Sequence, residues 1–181
     1  MAKQKRALIL SGWYQKPDTN WYPWLKSELE NESYKVVVPD LPTIHTDLPD
    51  LKQMLSFVDQ LHAVDESTLI VGHSLGCLLA MRIAERQKYH EMILVSGWDF
   101  NDLTAEHQLF WRSPIDHDKI KQNVKEIYCI SSDNDPYITA FQAEEMSKRL
   151  GGKFILTKGA GHFLSKTGTT QISELRNCVN N

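Results

Sequence analysis

The pentapeptide at residues 72–76 reads Gly-His-Ser-Leu-Gly, which has the residue types and the spacing of a nucleophile elbow. An apolar run at residues 68–71 precedes it and a helix-forming stretch at residues 77–86 follows it, so the pattern predicts a strand, a tight turn and a helix. So tight a turn crowds the neighbouring side chains, and the two glycines relieve that crowding. The predicted turn exposes the hydroxyl of Ser74 for attack on a carbonyl carbon.

A serine hydroxyl is a poor nucleophile at neutral pH, because it needs a base to take its proton and an acid to orient that base. The chain supplies both after Ser74, first the acid and then a histidine, each in a loop that follows a later predicted strand. Asp133 and Asp135 lie in the turn-rich loop after the fifth strand, and His162 lies in the glycine-rich loop after the sixth. This order predicts a catalytic triad of Ser74, Asp135 and His162.

Two aspartates compete for the acid position of this triad. Pro136 stiffens the turn after Asp135, and a helix is predicted to begin just beyond it, which favours Asp135. Asp133 lies nearer to the strand end, where it would cap the turn or accept backbone N–H groups. The sequence therefore favours Asp135 as the acid, with Asp133 as the alternative.

Two backbone N–H groups are expected to form an oxyanion hole, which holds the negative oxygen of a tetrahedral intermediate. One belongs to Leu75, the residue after the serine. The other is expected from Trp13, in the loop after the first strand, where Gly12 would permit an unusual backbone angle and aim the Trp13 amide at the site. The alternative is that this segment is an ordinary loop between a strand and a helix.

Five tryptophans give a further indication of where a ligand would bind. Trp13, Trp98 and Trp111 fall on loops that are predicted to surround the serine. We therefore expect Trp98 and Trp111 to line an apolar pocket for an acyl or aryl group. The alternative, that such large aromatic side chains seal the edge of the sheet as core, is preferred for Trp21 and Trp24.

The histidines other than His162 are given structural roles. His73 lies inside the turn, and its ring is expected to point away from the serine. His117 lies in the charged run at residues 116–119, which is typical of a solvated face. The remaining histidines form no spaced set of metal ligands, so the sequence predicts no metal ion.

Short apolar runs alternate with longer helical patterns along the chain, which predicts an α/β fold with helices on both faces of a six-stranded, mostly parallel sheet. The predicted strands are residues 6–10, 34–38, 68–71, 92–96, 126–131 and 153–157. The predicted helices are residues 21–30, 51–64, 75–87, 138–150 and 171–179. We expect one domain over residues 1–181, in which the long segment at residues 97–114 is a candidate lid at the carboxyl edge of the sheet.

Composition limits the partners and the compartment. A chain of 181 residues with a net charge of −3 has no broad positive surface to attract nucleic acid or an anionic membrane. The basic start precedes an apolar run that is too short for a signal peptide. Three cysteines far apart in the sequence suggest neither a disulfide framework nor a zinc site, so a reducing cytoplasm is expected. The expected partner is a small acyl substrate, and the sequence does not identify a protein partner.

Taken together, these motifs make the chain resemble the small single-domain serine hydrolases of the retinoblastoma-binding protein nine and YdeN type. The resemblance covers nearly the whole chain and rests on residues 20–30, 71–77, 93–97, 116–120, 132–137 and 161–164. It implies a reduced α/β-hydrolase without the antiparallel strands that begin the larger fold, a triad of Ser74, Asp135 and His162, and no cofactor. The tumour-suppressor partner in the group's name is not implied, because the chain lacks the string L-x-C-x-E.

The resulting hypothesis is a serine hydrolase that cleaves small acyl substrates, above all carboxylic esters, through an acyl-enzyme. Thioester or amide hydrolysis is the nearest alternative, because the same groups serve all three leaving groups. An alternative of another class is a binding protein without catalytic activity that uses the same fold.

Overall fold

The apolar runs of the chain form one parallel sheet in the computed structural model, which describes residues 4–179. All five strand pairings are parallel, so the sheet is wholly rather than mostly parallel. The strand order is β2-β1-β3-β4-β5-β6. The six strands are β1 Arg6–Leu10, β2 Lys35–Val37, β3 Thr68–His73, β4 Tyr89–Val95, β5 Val124–Ser132 and β6 Lys153–Thr157.

Six α-helices connect or follow these strands. They are α1 Tyr22–Asn31, α2 Leu51–Leu61, α3 Leu75–Ala84, α4 His117–Asn123, α5 Ala140–Leu150 and α6 Ser173–Val179. Helix α5 begins with a capping box between Thr139 and Gln142 and ends at Gly151, whose φ of 66° suits a left-handed C-cap. Helix α4 was not predicted, because a single buried residue, Ile120, leaves its seven residues without a clear apolar stripe.

Two apolar layers cover the two faces of the sheet, as predicted. Helices α2, α3, α4 and α5 pack on one face, and α1 and α6 pack on the other. The strands alternate between the layers, with Leu8 and Leu10 of β1 facing one side and Ala7 and Ile9 facing the other. The predicted fold class is therefore confirmed.

Parallel strands bring the loops that follow them to one edge of the sheet. The chain moves from β1 outward to β2 and then back across β1 to β3, so the strand order reverses between β1 and β3. Such a reversal opens a crevice at the carboxyl ends of the strands, where ligands of α/β sheets bind. The loops after β1, β3, β4, β5 and β6 all reach this edge.

One buried carboxyl group, that of Glu91 on β4, gives the fold a pH-dependent stability. Glu91 is 7% exposed, and its Oε1 has no hydrogen-bond partner among residues 4–179. Burial, followed by the charge of Glu126, raises the Glu91 pKa from 4.5 to about 7, against the opposite effect of Lys153. The folded protein therefore binds this proton more tightly than the unfolded chain, and stability falls as pH rises from about 4.5 to about 7.

Glu91→Gln is expected to remove this pH dependence, because glutamine cannot ionise. The variant should gain stability over the wild type at pH 8, and this gain in the free energy of unfolding should be about 2 kcal/mol larger than at pH 5. Urea unfolding at the two pH values measures the difference. Exposed Glu66 provides the control, since Glu66→Gln should leave the difference near zero. An equal effect of Glu91→Gln at both pH values would contradict the expectation.

Candidate active site

Ser74 lies in the turn between β3 and α3, in a conformation that few residues other than glycine adopt. Its φ is 52° and its ψ is −118°, and its backbone N–H donates to the carbonyl of Val95 at 2.9 Å. The flanking glycines are required by space. A Cβ on Gly72 would lie 2.6 Å from the carbonyl oxygen of Gly76, and a Cβ on Gly76 would collide with the carbonyl oxygen of Leu10. Neither glycine has a positive φ.

The structure brings the serine, the histidine and one aspartate into a single hydrogen-bonded chain. Nε2 of His162 lies 2.9 Å from Oγ of Ser74, and Nδ1 of His162 lies 2.9 Å from Oδ2 of Asp135. Because a carboxylate only accepts, Nδ1 carries the proton, and Nε2 of the neutral ring then accepts the serine O–H. This is the geometry of a nucleophile, a base and an orienting acid.

The carboxylate of Asp135 is held in its ionised form by the donors around it. Oδ2 accepts the Ser96 hydroxyl at 2.7 Å, and Oδ1 accepts the backbone N–H of Tyr137 at 2.9 Å. Burial alone would raise the Asp135 pKa. The hydrogen bond and the charge of His162, together with these donors, outweigh burial and hold the pKa below its usual range. Ser96 is a part of the site that the sequence analysis missed, although it directly follows strand β4.

Asp133, the competing acid, holds a loop. Its Oδ1 accepts the backbone N–H of Gly159 at 2.7 Å, and Oδ1 of Asn134 accepts that of Gly161 at 2.7 Å. The loop after β5 thereby fixes the loop that carries His162. The structure thus brings Asp135, and not Asp133, to the histidine.

The first loop of the chain approaches the serine closely. A Cβ on Gly12 would lie 3.2 Å from the Cβ of Ser74. The predicted reason for this glycine was wrong, because Gly12 has no positive φ; the close approach to Ser74 instead leaves little room for a side chain there. Trp13 is held in this loop by its indole N–H, which donates to Thr46 at 2.8 Å. In the part of the chain that the structure describes, no acceptor takes the backbone N–H of Trp13 or of Leu75, and both residues line the cleft at Ser74.

A cleft of about 580 Å³ opens above Ser74 and His162. Its walls are mainly apolar and include Trp13, Trp98, Phe100, Ile138 and Leu164. A volume of this size suits a small organic ligand.

The two tryptophans that were expected in the pocket wall differ in their positions. Trp98 lines the cleft, as expected. The prediction for Trp111 is corrected, because Trp111 lies outside the lining and packs against the core. Burial of its apolar ring against the core accounts for this position, and there the guanidinium carbon of Arg82 lies 6.0 Å from the centre of the ring.

The segment at residues 97–114 is anchored at both ends by buried charges. Asp99, at its start, accepts two hydrogen bonds from Arg149 and lies 2.7 Å from Nε2 of His117. Near its end, Arg82 donates to the carbonyl of Phe110 at 2.8 Å. The interpretation of His117 as part of a solvated face is corrected, because its ring is half-buried against this carboxylate.

Between these anchors the segment carries a second histidine–aspartate pair over the cleft. Nδ1 of His107 lies 2.6 Å from Oδ2 of Asp102. The His107 ring contacts the rings of Trp13 and Trp98, with centroids 5.2 and 5.4 Å apart. Leu103, in the same stretch, is 86% exposed. The sequence carries no signal for the contact between His107 and Trp13, since these residues are about 94 positions apart.

Three further expectations concern metal ligands, the cysteines and helices that could span a membrane. Within residues 4–179, no group of three or more His, Cys, Asp or Glu side chains is arranged to hold a metal ion. The three cysteines are buried and free. None of the helices in this range is both long and apolar enough to cross a membrane.

Comparisons with known proteins identify a family and relatives of this chain. The family model for "Serine hydrolase" matches residues 7–181. The serine hydrolase RBBP9 of Rattus norvegicus is 30% identical over 173 residues, which are 90% of this chain and 89% of that protein. YdeN of Bacillus subtilis (strain 168) is 27% identical over 174 residues, covering 93% and 90% of the two chains.

Solved structures extend the comparison to the fold. The crystal structure of the ydeN gene product from B. subtilis matches with a TM-score of 0.87 at 25% identity, over 97% of each chain. Est1E from Butyrivibrio proteoclasticus matches with a TM-score of 0.71 at 16% identity, over 98% of this chain and 89% of that one. The second likeness concerns the fold alone.

Proposed function

Since the chain belongs to the serine hydrolase family, we propose that it cleaves small carboxylic esters with a catalytic triad of Ser74, His162 and Asp135. The observation that supports this proposal is the continuous chain of two 2.9 Å contacts, from the serine oxygen through the imidazole to the carboxylate. The strained turn at Ser74 supports it further, because strain of this kind is retained where it exposes a functional group. In this proposal the turn is the nucleophile elbow.

Acylation is the first half of the proposed reaction. Oγ of Ser74 attacks the ester carbonyl while Nε2 of His162 takes the hydroxyl proton. The carbonyl oxygen becomes negative and is held by the backbone N–H groups of Leu75 and Trp13. Collapse of the tetrahedral intermediate breaks the ester bond, and His162 gives the proton to the departing alkoxide. The products of this half are an alcohol and an acylated Ser74.

Deacylation repeats the same steps with water as the nucleophile. His162 takes a proton from water, and the resulting hydroxide attacks the acyl carbon. The second intermediate collapses, the proton returns to Ser74, and the carboxylic acid leaves. Throughout both halves Asp135 keeps the proton on Nδ1 in place and stabilises the imidazolium that forms on His162. No step needs a cofactor.

The cleft limits the substrate to a small molecule with an apolar acyl or aryl group. Trp98, Phe100 and Leu164 offer apolar surface beside the serine. We propose that residues 97–114 act as a lid in a single-domain chain. The anchors at Asp99 and Arg82 hold its ends, and the stretch between them, which carries His107, opens for substrate and closes over it.

The reaction class is tested with an ester, a thioester and an anilide that share one acyl group. The ester is expected to be cleaved fastest, with kcat/KM about 100-fold above that of the anilide, or about 2.7 kcal/mol in activation free energy. The physical reason is that an amine leaves only after it has been protonated, whereas an activated alkoxide leaves readily. Rates are corrected for spontaneous hydrolysis in the same buffer.

Each outcome of this comparison has a distinct meaning. A thioester preference would assign the chain to thioester hydrolysis, and an anilide preference would assign it to amide hydrolysis. Absence of turnover on all three substrates would reject the proposal and favour a binding protein that uses the hydrolase fold.

A further inference from the structure

Two buried side chains, Tyr22 and His73, link three backbone segments of the proposed active site. Oη of Tyr22 lies 2.6 Å from Nδ1 of His73 and accepts the backbone N–H of Gly12 at 3.2 Å. Nε2 of His73 lies 2.9 Å from the carbonyl oxygen of His162. Tyr22 and His73 are both fully buried, and neither is bonded to the hydroxyl of Ser74.

The direction of each hydrogen bond in this linkage follows from its acceptors. A carbonyl oxygen only accepts, so Nε2 of His73 carries a proton and donates it to His162. The neutral ring then has its lone pair on Nδ1, which accepts the Tyr22 hydroxyl proton. The Tyr22 oxygen in turn accepts the N–H of Gly12. One tautomer of His73 therefore satisfies every member of the chain.

Burial keeps both side chains uncharged, which this tautomer requires. Burial, and then the proximity of His162, lowers the His73 pKa to about 3. Burial likewise raises the pKa of the Tyr22 hydroxyl well above its usual range. Over the pH range in which an esterase works, the linkage thus adds no charge beside the base. It acts through geometry alone.

Each end of the linkage lies next to a group that the proposed reaction uses. Gly12 immediately precedes Trp13, which supplies one oxyanion donor, and His73 immediately precedes Ser74. The far end holds the backbone of the base, His162. We propose that Tyr22 and His73 are positioning residues that fix the oxyanion loop, the nucleophile and the base relative to one another. This inference rests on the proposed function.

A disturbance of this linkage should lower kcat more than it weakens substrate binding. Without the Tyr22 hydroxyl, the buried N–H of Gly12 and Nδ1 of His73 lose their partners, so the segments that they join shift. The ring keeps its tautomer, because the other one would place a lone pair of His73 against the carbonyl oxygen of His162. Misplacement by about 1 Å far from the reacting atoms costs roughly 100-fold in rate.

Tyr22→Phe tests the proposal, because it removes one hydroxyl and preserves the ring. The expected result is a kcat for an ester that is lower by about 10- to 100-fold, with KM within about twofold of the wild type. Tyr89→Phe is the matched control. Tyr89 is equally buried, lies in the other apolar layer and donates to the carbonyl of Ala80 at 3.0 Å. Its variant should lose comparable stability and keep the wild-type kcat.

The ¹⁵N resonances of His73 provide a readout that a purely structural role would not move. The wild type should show a neutral ring with its proton on Nε2. Tyr22→Phe should keep that proton on Nε2, because the carbonyl of His162 still accepts it, and should move the Nδ1 resonance, because Nδ1 loses its hydrogen-bond donor. A proton on Nδ1 in the wild type, or a wild-type kcat in a folded Tyr22→Phe variant, would overturn the proposal. A wild type that has the expected tautomer and no esterase activity would instead reject the proposed function.

Discussion

Ser74→Ala is expected to lower kcat for a p-nitrophenyl ester by about four to six orders of magnitude. Water bound in the same cleft cannot form the acyl-enzyme, so only the oxyanion donors and substrate binding continue to accelerate the reaction. KM should change little, because the serine oxygen contributes little to substrate binding. Steady-state kinetics with a highly purified variant measure the effect.

Stability and a matched serine control accompany the Ser74→Ala measurement. The melting temperature of Ser74→Ala should remain close to that of the wild type. Ser131→Ala is the control, because Ser131 is buried on β5 and its hydroxyl has no hydrogen-bond partner among residues 4–179. Near-normal kcat in a folded Ser74→Ala variant would rule out the serine as nucleophile.

Asp135→Asn is expected to lower kcat by about three to four orders of magnitude while the fold persists. The amide can present an N–H to His162, which favours the tautomer with the proton on Nε2. That proton faces Oγ of Ser74, so the ring can no longer act as the base. The uncharged amide also fails to stabilise the imidazolium. Single-turnover acylation rates, measured with the same ester, isolate the step that is lost.

Asp133→Asn is the matched control, since it makes the same chemical change two residues away. Its amide oxygen can still accept the N–H of Gly159, so the loop that carries His162 should be retained. Activity is expected within about a few-fold of the wild type, as is typical of changes away from the reacting groups. The reverse pattern, an active Asp135→Asn and an inactive Asp133→Asn, would transfer the role of the acid to Asp133.

Much of the fold could be predicted because buried parallel strands have a simple sequence pattern. The bounds of β1 and β6 agree with the predicted runs, since each is a continuous β-prone stretch with turn residues around it. The serine, aspartate and histidine could be located for a related reason. Each follows a predicted strand, and parallel strands bring such residues to a common edge.

The parts that could not be predicted depend on contacts between distant segments. Trp111 packs against the core beside Arg82, although the sequence gives the two residues no evident relation. Asp99 likewise contacts His117 and Arg149 only because α4 and α5 pack beside it. The link between Tyr22 and His73 depends on how α1 packs on the sheet, so no local pattern reports it.

Gly12 shows a different limit of sequence reasoning. A loop position can favour glycine because its φ is positive or because two backbones approach closely there. Both causes place the same residue in the sequence, so the sequence does not distinguish them. The structure shows a close approach to Ser74 and no positive φ. Only the relative position of two loops decides between the two causes.

Labelling with a fluorophosphonate, followed by peptide mapping, tests the central claim most directly, because the probe reacts with a serine only when a base activates it. We expect one covalent adduct per chain, on Ser74, formed rapidly in the wild type, slowly in His162→Ala and not at all in Ser74→Ala. A wild-type protein that is folded and stays unlabelled, or that carries the adduct on another residue, would contradict the account.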